Sequence, residues 1–147
     1  MFAPKIILVP TDFSSFSDEA LERAYDIAKE YNATIYLLHV IVLTKQCVDY
    51  YCLDDATIQT IETKSGEASK NLMEKQIARV IKSKDVEVVS EIAHGIPYEE
   101  ILKEQKKRSA DLVVIASHGM SGLAEHFMIG SIAANVSKGA KCPVLLI

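Results

Sequence analysis

The last quarter of the chain constrains the fold most, because an apolar run there ends in small residues and leads into a helical pattern. The run over residues 111–116 predicts a strand that is buried on both faces of a sheet. It ends at Ser117-His118-Gly119, and Gly130-Ser131 opens a helical pattern further along. Glycine lets backbone amides approach an anion, and a helix N-terminus adds unpaired donors. The stretch therefore predicts a phosphate-binding turn between a strand and a helix.

Five apolar runs alternate with helical patterns along the chain. They predict strands over residues 5–10, 34–42, 86–93, 111–116 and 143–147. Strands that alternate with helices predict an α/β fold with a mostly parallel sheet, helices on both faces and right-handed crossovers. In such sheets, ligands bind beyond the carboxyl ends of the strands, where the winding direction reverses. If the first and fourth strands are neighbours, Pro10-Thr11-Asp12 lies beside Ala116-Ser117-His118-Gly119 and the two turns form one site.

The helical patterns predict four main helices. The first begins at a cap formed by Ser17 and ends at Asn32, and the second covers residues 58–81 with a weak point at Gly66. The third begins at Gly95-Ile96-Pro97, because proline suits a first helical turn. The fourth covers residues 131–138, with Gly139 as its stop and with an inward face formed by Ile132, Ala133, Val136 and Ala140. Residues 44–55 show no periodicity and predict a loop.

The composition narrows the class of protein. A chain of 147 residues without a linker or a repeat predicts a single domain over residues 1–147. The net charge of −4 predicts no general affinity for nucleic acids or acidic membranes. No run reaches the ~18 apolar residues that span a bilayer, and the N-terminal residues show no signal-peptide pattern. The expected location is the cytoplasm.

The cysteines and three of the histidines lack metal-ligand spacing. Cys47, Cys52 and Cys142 are interpreted as free thiols, with a redox role for Cys47 and Cys52 as the alternative. The three histidines are predicted to be structural or exposed: His39, His94 and His126.

Several of these motifs resemble those of the universal stress protein family. The chain opens with Ile-Leu-Val-Pro-Thr-Asp-Phe-Ser and has Leu-Leu-His-Val at the end of the second strand. Ala-Asp-Leu-Val-Val-Ile-Ala-Ser-His-Gly, the Gly-Ser helix start and Cys-Pro-Val-Leu-Leu-Ile follow. The resemblance implies a Rossmann-like α/β/α sandwich of the adenine nucleotide alpha hydrolase type, with five parallel strands in the order 3-2-1-4-5. It also implies a homodimer, paired through the last strand from Val144 to Ile147.

The resemblance extends to the glycine motif of the nucleotide-binding members. That motif is a glycine, two residues, a glycine, nine residues, and a glycine followed by serine or threonine. Here Ala116 replaces the first glycine, Gly119 matches the second, and Gly130-Ser131 matches the end after a spacer of ten residues, 120–129. The turn around Ser121-Gly122 is expected to absorb the extra residue. The resemblance implies ATP as the ligand, with Mg²⁺ or Mn²⁺.

Several of the predicted site residues have an expected role in nucleotide binding. Asp12 either accepts a ribose hydroxyl or holds a metal with phosphate, or else it caps the following helix. Pro10 and Thr11 shape the adenine pocket, Val40 contacts adenine, and His118 is a candidate phosphate contact. Backbone donors at Gly130, Ser131 and Ile132 face the phosphates. The complete predicted site is Pro10, Thr11, Asp12, Val40, Ala116, Ser117, His118, Gly119, Gly122, Gly130, Ser131, Ile132 and Ala133.

These features favour a cytoplasmic, homodimeric, ATP-binding regulatory protein in which the nucleotide orders residues 120–129. One alternative is a stress protein that acts through protein contacts without a nucleotide, and another is a slow ATPase. No catalytic set is predicted, because His118 has no orienting carboxylate in its motif. A dehydrogenase is disfavoured because no G-x-G-x-x-G follows the first strand, and a P-loop enzyme because no lysine follows Gly130-Ser131.

Overall fold

The computed structural model describes residues 1–42, 45–119 and 129–147. In these residues, strands and helices follow one another along the chain. They are β1 (Ile6–Pro10), α1 (Ser15–Tyr31), β2 (Thr34–Ile41), α2 (Lys45–Tyr50), α3 (Asp55–Val80), β3 (Val88–His94), α4 (Pro97–Arg108), β4 (Leu112–Ile115), α5 (Ser131–Gly139) and β5 (Val144–Leu146). None of the helices in the described ranges is long and apolar enough to cross a membrane.

The described strands form one parallel sheet in the order β3-β2-β1-β4-β5. The predicted Rossmann-like α/β/α fold and its strand order are confirmed. Ile7 of β1 pairs with Ile35 of β2 on one side and with Leu112 of β4 on the other. The winding direction therefore reverses between β1 and β4, which leaves a crevice at their carboxyl ends.

The core has one apolar cluster on each face of the sheet. Along β1, Ile7 and Val9 face the cluster that includes α1 and α3, whereas Leu8 faces the cluster that includes α4 and α5. All three side chains are fully buried. Continuous apolar residues in β1 and β4 are thus required by burial on both faces, and this is why the sequence pattern identifies these strands.

The cap of the first helix lies three residues before the predicted one. Ser14 is the N-cap, and its hydroxyl accepts a hydrogen bond from the amide of Ser17 at 3.2 Å. Ser17 lies inside the helix, where its own hydroxyl donates to the carbonyl of Ser14 at 2.8 Å. The prediction of Ser17 as the cap is wrong, because a sequence pattern does not show at which of two nearby serines the preceding turn ends and the helix begins. Asn32 ends the helix with φ of +54°, as expected for asparagine.

One prediction in the middle of the chain is also wrong. The expected loop over residues 44–55 contains the helix α2, which is too short for a helical period to show in the sequence. Gly66, the expected weak point of the long helix, does not interrupt α3, which runs unbroken from Asp55 to Val80. A Cβ atom at Gly66 would meet no atom within 4 Å.

The last helix differs from its prediction at two positions. Gly139 is its final helical residue rather than its stop, and Ala140 caps it in an extended conformation. A Cβ atom on Gly139 would lie 2.6 Å from Cδ1 of Leu102, so glycine allows α5 to approach α4 closely. Ile132, predicted to face inward, is 41% exposed. It lies in the first turn of α5, beside the crevice rather than over the sheet.

Candidate functional site

A pocket of about 350 Å³ opens at the carboxyl ends of β1, β2 and β4. This volume lies within the range of about 300–1,000 Å³ that is typical of small-molecule sites. The structure brings together every predicted site residue that it describes. The residues that line the pocket from this set are Pro10, Thr11, Asp12, Val40, Ala116, Ser117, His118, Gly119, Gly130, Ser131, Ile132 and Ala133. Gly122, His126 and most of the 120–129 spacer lie outside the described residues.

The pocket has an apolar side and a polar side. Strand β2 and the start of α4 supply apolar residues, among them Leu38, Val40, Pro97 and Ile101. On the other side of β1, the turn after β4 and the start of α5 supply small and polar residues. An elongated ligand with an apolar ring at one end and an anion at the other matches this division.

The N-terminus of α5 has no side-chain cap in the described structure. Gly130 is the N-cap, and as a glycine it has no side chain that could cap the first turn. The first intrahelical bond runs from the amide of Ala134 to the carbonyl of Gly130 at 3.0 Å. The amides of Ser131, Ile132 and Ala133 precede that bond and have no intrahelical acceptor. Together with the positive end of the helix dipole, they form a site for an anion.

Gly130 plays a different role from the one predicted. Its amide donates to the carbonyl of Ser117 at 2.7 Å, so its proton is used inside the protein. The expectation that this amide faces a phosphate is therefore corrected, and the donors that remain belong to Ser131, Ile132 and Ala133. A Cβ atom on Gly130 would lie only 3.3 Å from the same Ser117 oxygen. The bond holds the start of α5 against the end of β4.

Asp12 braces the turn that follows β1. Its Oδ1 accepts hydrogen bonds from the amide of Ser14 at 3.0 Å and from the hydroxyl of Ser14 at 2.5 Å. Its Oδ2 lies against Gly119, where a Cβ atom would be only 2.7 Å away. The structural role predicted for Asp12 is therefore present, and the carboxylate also reaches the pocket. A side chain at position 119 would displace this carboxylate.

The described residues do not form a metal site by themselves. Within them, no group of three or more His, Cys, Asp or Glu side chains could hold a metal ion. Mg²⁺ is commonly bound by one or two carboxylates together with phosphate oxygens and water. Asp12 thus fits a metal only if a bound phosphate supplies further ligands.

The turn after β1 is strained and is held by its neighbours. Phe13 has φ of +66°, a conformation that costs a bulky residue about 1–3 kcal/mol. Its amide donates to the hydroxyl of Thr11 at 3.0 Å, and its ring packs on that of His39 with centroids 4.4 Å apart. Nδ1 of His39 lies 2.8 Å from the carbonyl oxygen of Thr11. Because a carbonyl only accepts, this nitrogen carries the proton.

His39 was among the pocket residues that the sequence did not identify. The full set is Ser17, Leu38, His39, Val42, Pro97, Ile101 and Ile115. The position of His39 near the end of a strand that adjoins β1 was the available signal. Pro97 and Ile101 lie on α4, and nothing in the sequence shows that this helix reaches the pocket.

His118 lines the pocket, and within the described residues its ring contacts a serine hydroxyl. Its Nδ1 lies 3.0 Å from the hydroxyl of Ser117, which donates to the main-chain oxygen of Ile147 at 2.8 Å. Since the hydroxyl proton is used, Nδ1 is the donor to Ser117. Nε2 is buried, and no described residue hydrogen-bonds to it. A hydroxyl rather than a carboxylate thus orients the ring, so this pair is not a carboxylate–histidine general base.

Comparisons with known proteins place the chain among one family of sequences. A family model described as the universal stress protein family matches residues 4–147. Universal stress protein MJ0531 of Methanocaldococcus jannaschii is 32% identical over 144 residues, which cover 97% of this chain and 81% of the relative. Universal stress protein YxiE of Bacillus subtilis is 32% identical over 145 residues, which cover 96% of this chain and 97% of the relative.

Solved structures share the architecture. The hypothetical protein MJ0577 of M. jannaschii superposes with a TM-score of 0.84 at 29% identity, covering 100% of this chain and 96% of that protein. A universal stress protein in complex with cAMP has a TM-score of 0.63 at 23% identity, with coverages of 99% and 97%. One from Archaeoglobus fulgidus in complex with dAMP has a TM-score of 0.60 at 20% identity, with coverages of 100% and 99%. At the identities of these two complexes, the likeness establishes the fold alone.

Proposed function

The chain belongs to the universal stress protein family, and from this premise we propose that it is a regulatory protein that binds ATP in the pocket between β1 and β4. The observation that carries the proposal is the uncapped N-terminus of α5 at the pocket. Its amides at Ser131, Ile132 and Ala133 have no intrahelical acceptor and line the pocket. A phosphate group supplies the acceptors, and the helix dipole favours its negative charge.

The other side of the pocket suits the adenosine moiety. Val40, Val42 and Pro97 form an apolar surface against which an adenine ring can pack. Asp12 lies between this surface and α5, in a position to accept a ribose hydroxyl. Two proteins with this fold were solved with cAMP and with dAMP, so an adenine nucleotide is compatible with the fold.

The alanine in the glycine motif is compatible with this proposal. Ala116 packs against the apolar cluster on the α1 and α3 face of the sheet. Ile115 and Ala133, by contrast, belong to the cluster on the opposite face. The methyl group therefore has apolar neighbours in the core, which supports the reading that it does not take the place of a phosphate.

A divalent cation fits the proposal as part of the nucleotide complex. Mg²⁺ or Mn²⁺ bound to the phosphates would find a carboxylate ligand in Asp12 and would neutralise its charge. Without the cation, Asp12 would repel the phosphates. ATP is therefore expected to bind more tightly with Mg²⁺ than without it.

The proposal includes a cytoplasmic homodimer. Within the described structure β5 pairs with β4 along one edge, and Leu145 in this edge strand is 38% exposed. An unpaired strand edge can add a strand from a second chain, which supports pairing through Val144 to Ile147. In such a dimer, nucleotide binding would change the surface that partner proteins meet.

Isothermal titration calorimetry with ATP, with and without Mg²⁺, tests the proposal. Saturable binding that is tighter with Mg²⁺ is expected, and GTP serves as the comparison for base selectivity. Native mass spectrometry of the purified protein would independently detect bound nucleotide. Failure to bind at millimolar ATP would favour a stress protein that acts through protein contacts. ATP turnover that disappears in His118→Ala while binding survives would instead establish the slow ATPase.

A further inference from the structure

Gln76 is a fully buried polar residue outside the pocket, on the inner face of α3. Its Oε1 accepts a hydrogen bond from the hydroxyl of Thr11 at 2.8 Å. Its Nε2 donates to Oδ1 of Asp18 at 2.8 Å and lies 3.3 Å from the hydroxyl oxygen of Ser17. A buried amide is stable only when such partners satisfy it.

Asp18 determines which way the amide of Gln76 points. A carboxylate only accepts hydrogen bonds, so the NH₂ group must face Asp18 and the carbonyl oxygen must face Thr11. The hydroxyl of Thr11 has two acceptors within reach, Oε1 of Gln76 at 2.8 Å and Oγ of Ser17 at 3.0 Å. The Gln76 carbonyl is the nearer one, and it therefore orients the hydroxyl group of Thr11.

The orientation of that hydroxyl matters because it holds the strained turn. With its proton directed toward α3, the Thr11 oxygen presents a lone pair to the amide of Phe13, 3.0 Å away. Phe13 keeps φ of +66°, and the next amide, that of Ser14, bonds to Asp12. The Asp12 carboxylate is thus bound to a turn whose conformation depends on the hydrogen bond between Thr11 and Gln76 of α3.

We propose that Gln76 is a positioning residue of the pocket. From α3 it orients the hydroxyl of Thr11, and through Thr11 it holds the turn that carries Asp12, without lining the pocket itself. Its effect on ATP affinity rests on the proposed function, but its effect on the turn does not require a ligand.

The experiment compares Gln76→Met with Gln105→Met. Methionine keeps a similar volume and removes the hydrogen bonds. Gln105 is a matched control because it is also buried on a helix, at 5% exposure, donates to the carbonyl of Ala110, and does not line the pocket. Amide hydrogen exchange at Phe13 and Ser14 is measured without ligand, relative to the amides of β1, and ATP affinity is measured by calorimetry.

In Gln76→Met, we expect exchange at Phe13 and Ser14 to accelerate about tenfold and ATP binding to weaken about tenfold, the effect of losing one buried hydrogen bond. In Gln105→Met, both are expected to change less than about twofold. If Gln76→Met does not fold, Asp18→Ala takes its place, because it removes the partly exposed carboxylate that orients the amide of Gln76 and leaves Thr11 unchanged.

Unchanged exchange at Phe13 and Ser14 in the Gln76 variant would overturn the inference, whether or not the protein binds ATP. Equal ATP affinity of wild type and variant would overturn it as well. If the wild type binds no ATP but the turn exchanges faster in the variant alone, the proposed function fails and Gln76 still positions the turn.

Discussion

Replacing Ser131 by proline should remove one amide proton from the start of α5 without breaking the helix. Ser131 is the first helical residue, and proline is favoured there because that amide has no intrahelical acceptor. The preceding Gly130 has φ of −59° and ψ of 152°, which is the region that a residue before proline adopts. Pro97 already occupies the same position in α4.

The size of the effect follows from the charge of the proposed partner. A hydrogen bond to a charged group contributes about 1.5–3 kcal/mol, which corresponds to a loss of ATP affinity between about tenfold and about 150-fold. Ser131→Ala removes the hydroxyl but keeps the amide. The ratio of the two affinities therefore isolates the contribution of the amide.

Calorimetric titration of both variants with ATP and Mg²⁺ measures this ratio. Urea unfolding should show both variants to be as stable as the wild type within about 1 kcal/mol. Asp55→Pro, at the same position of α3 after Asp54 with ψ of 166°, serves as the control for proline itself and should leave ATP affinity unchanged. If the proline and alanine variants bind ATP equally, the amide of residue 131 donates nothing to the ligand and its assignment to the phosphate site is refuted.

Three further predictions concern single residues. Gly119→Ala should displace the carboxylate of Asp12, 2.7 Å from the added methyl, and weaken ATP binding about tenfold in the same titration; equal affinity would show that the carboxylate can move without cost. Burial, and to a lesser extent the charge of Asp111, raises the pKa of the Cys142 thiol. Iodoacetamide should therefore alkylate the exposed Cys52 faster than Cys142, as peptide mass spectrometry can show. Faster alkylation of Cys142 would contradict this. Hydrogen bonds from Thr57, first from its hydroxyl and second from its amide, hold the pKa of Asp54 below its ordinary value. The ionised Asp54 side chain that caps α3 therefore stabilises the fold above about pH 4. This stabilisation is lost as the pH falls through the lowered pKa. Urea unfolding at about pH 6 and about pH 3 should therefore show wild type losing its stability advantage over Asp54→Asn at the lower pH, and a constant difference would argue against this.

Much of the candidate site was readable from local patterns. The apolar runs that became β1 and β4 end in the turns that line the pocket, and the Gly130-Ser131 pair begins a helix as predicted. The family resemblance supplied the strand order, which the structure confirms. The cap of α1 could not be read, because Ser14 and Ser17 suit a cap equally well and the strained turn at Phe13 decides between them.

The partners of the polar groups required coordinates. The sequence suggested that the amide of Gly130 was available to a ligand, whereas the structure directs it to Ser117. It also offered no reason to connect Gln76 or His39 with Thr11, although both hydrogen-bond to it. These hydrogen bonds join residues as far as 65 positions apart, and no periodic pattern in the sequence indicates them.

The amino-acid sequence alone thus determined the α/β architecture and the location of the pocket. A parallel strand that is buried on both faces requires apolar residues in succession, and a helix start favours particular small residues. Both features are therefore visible in short stretches of the sequence. Only the tertiary structure decided which donors the pocket keeps. A hydrogen-bonding group can satisfy any complementary neighbour, and the packing of the sheet and its helices selects that neighbour.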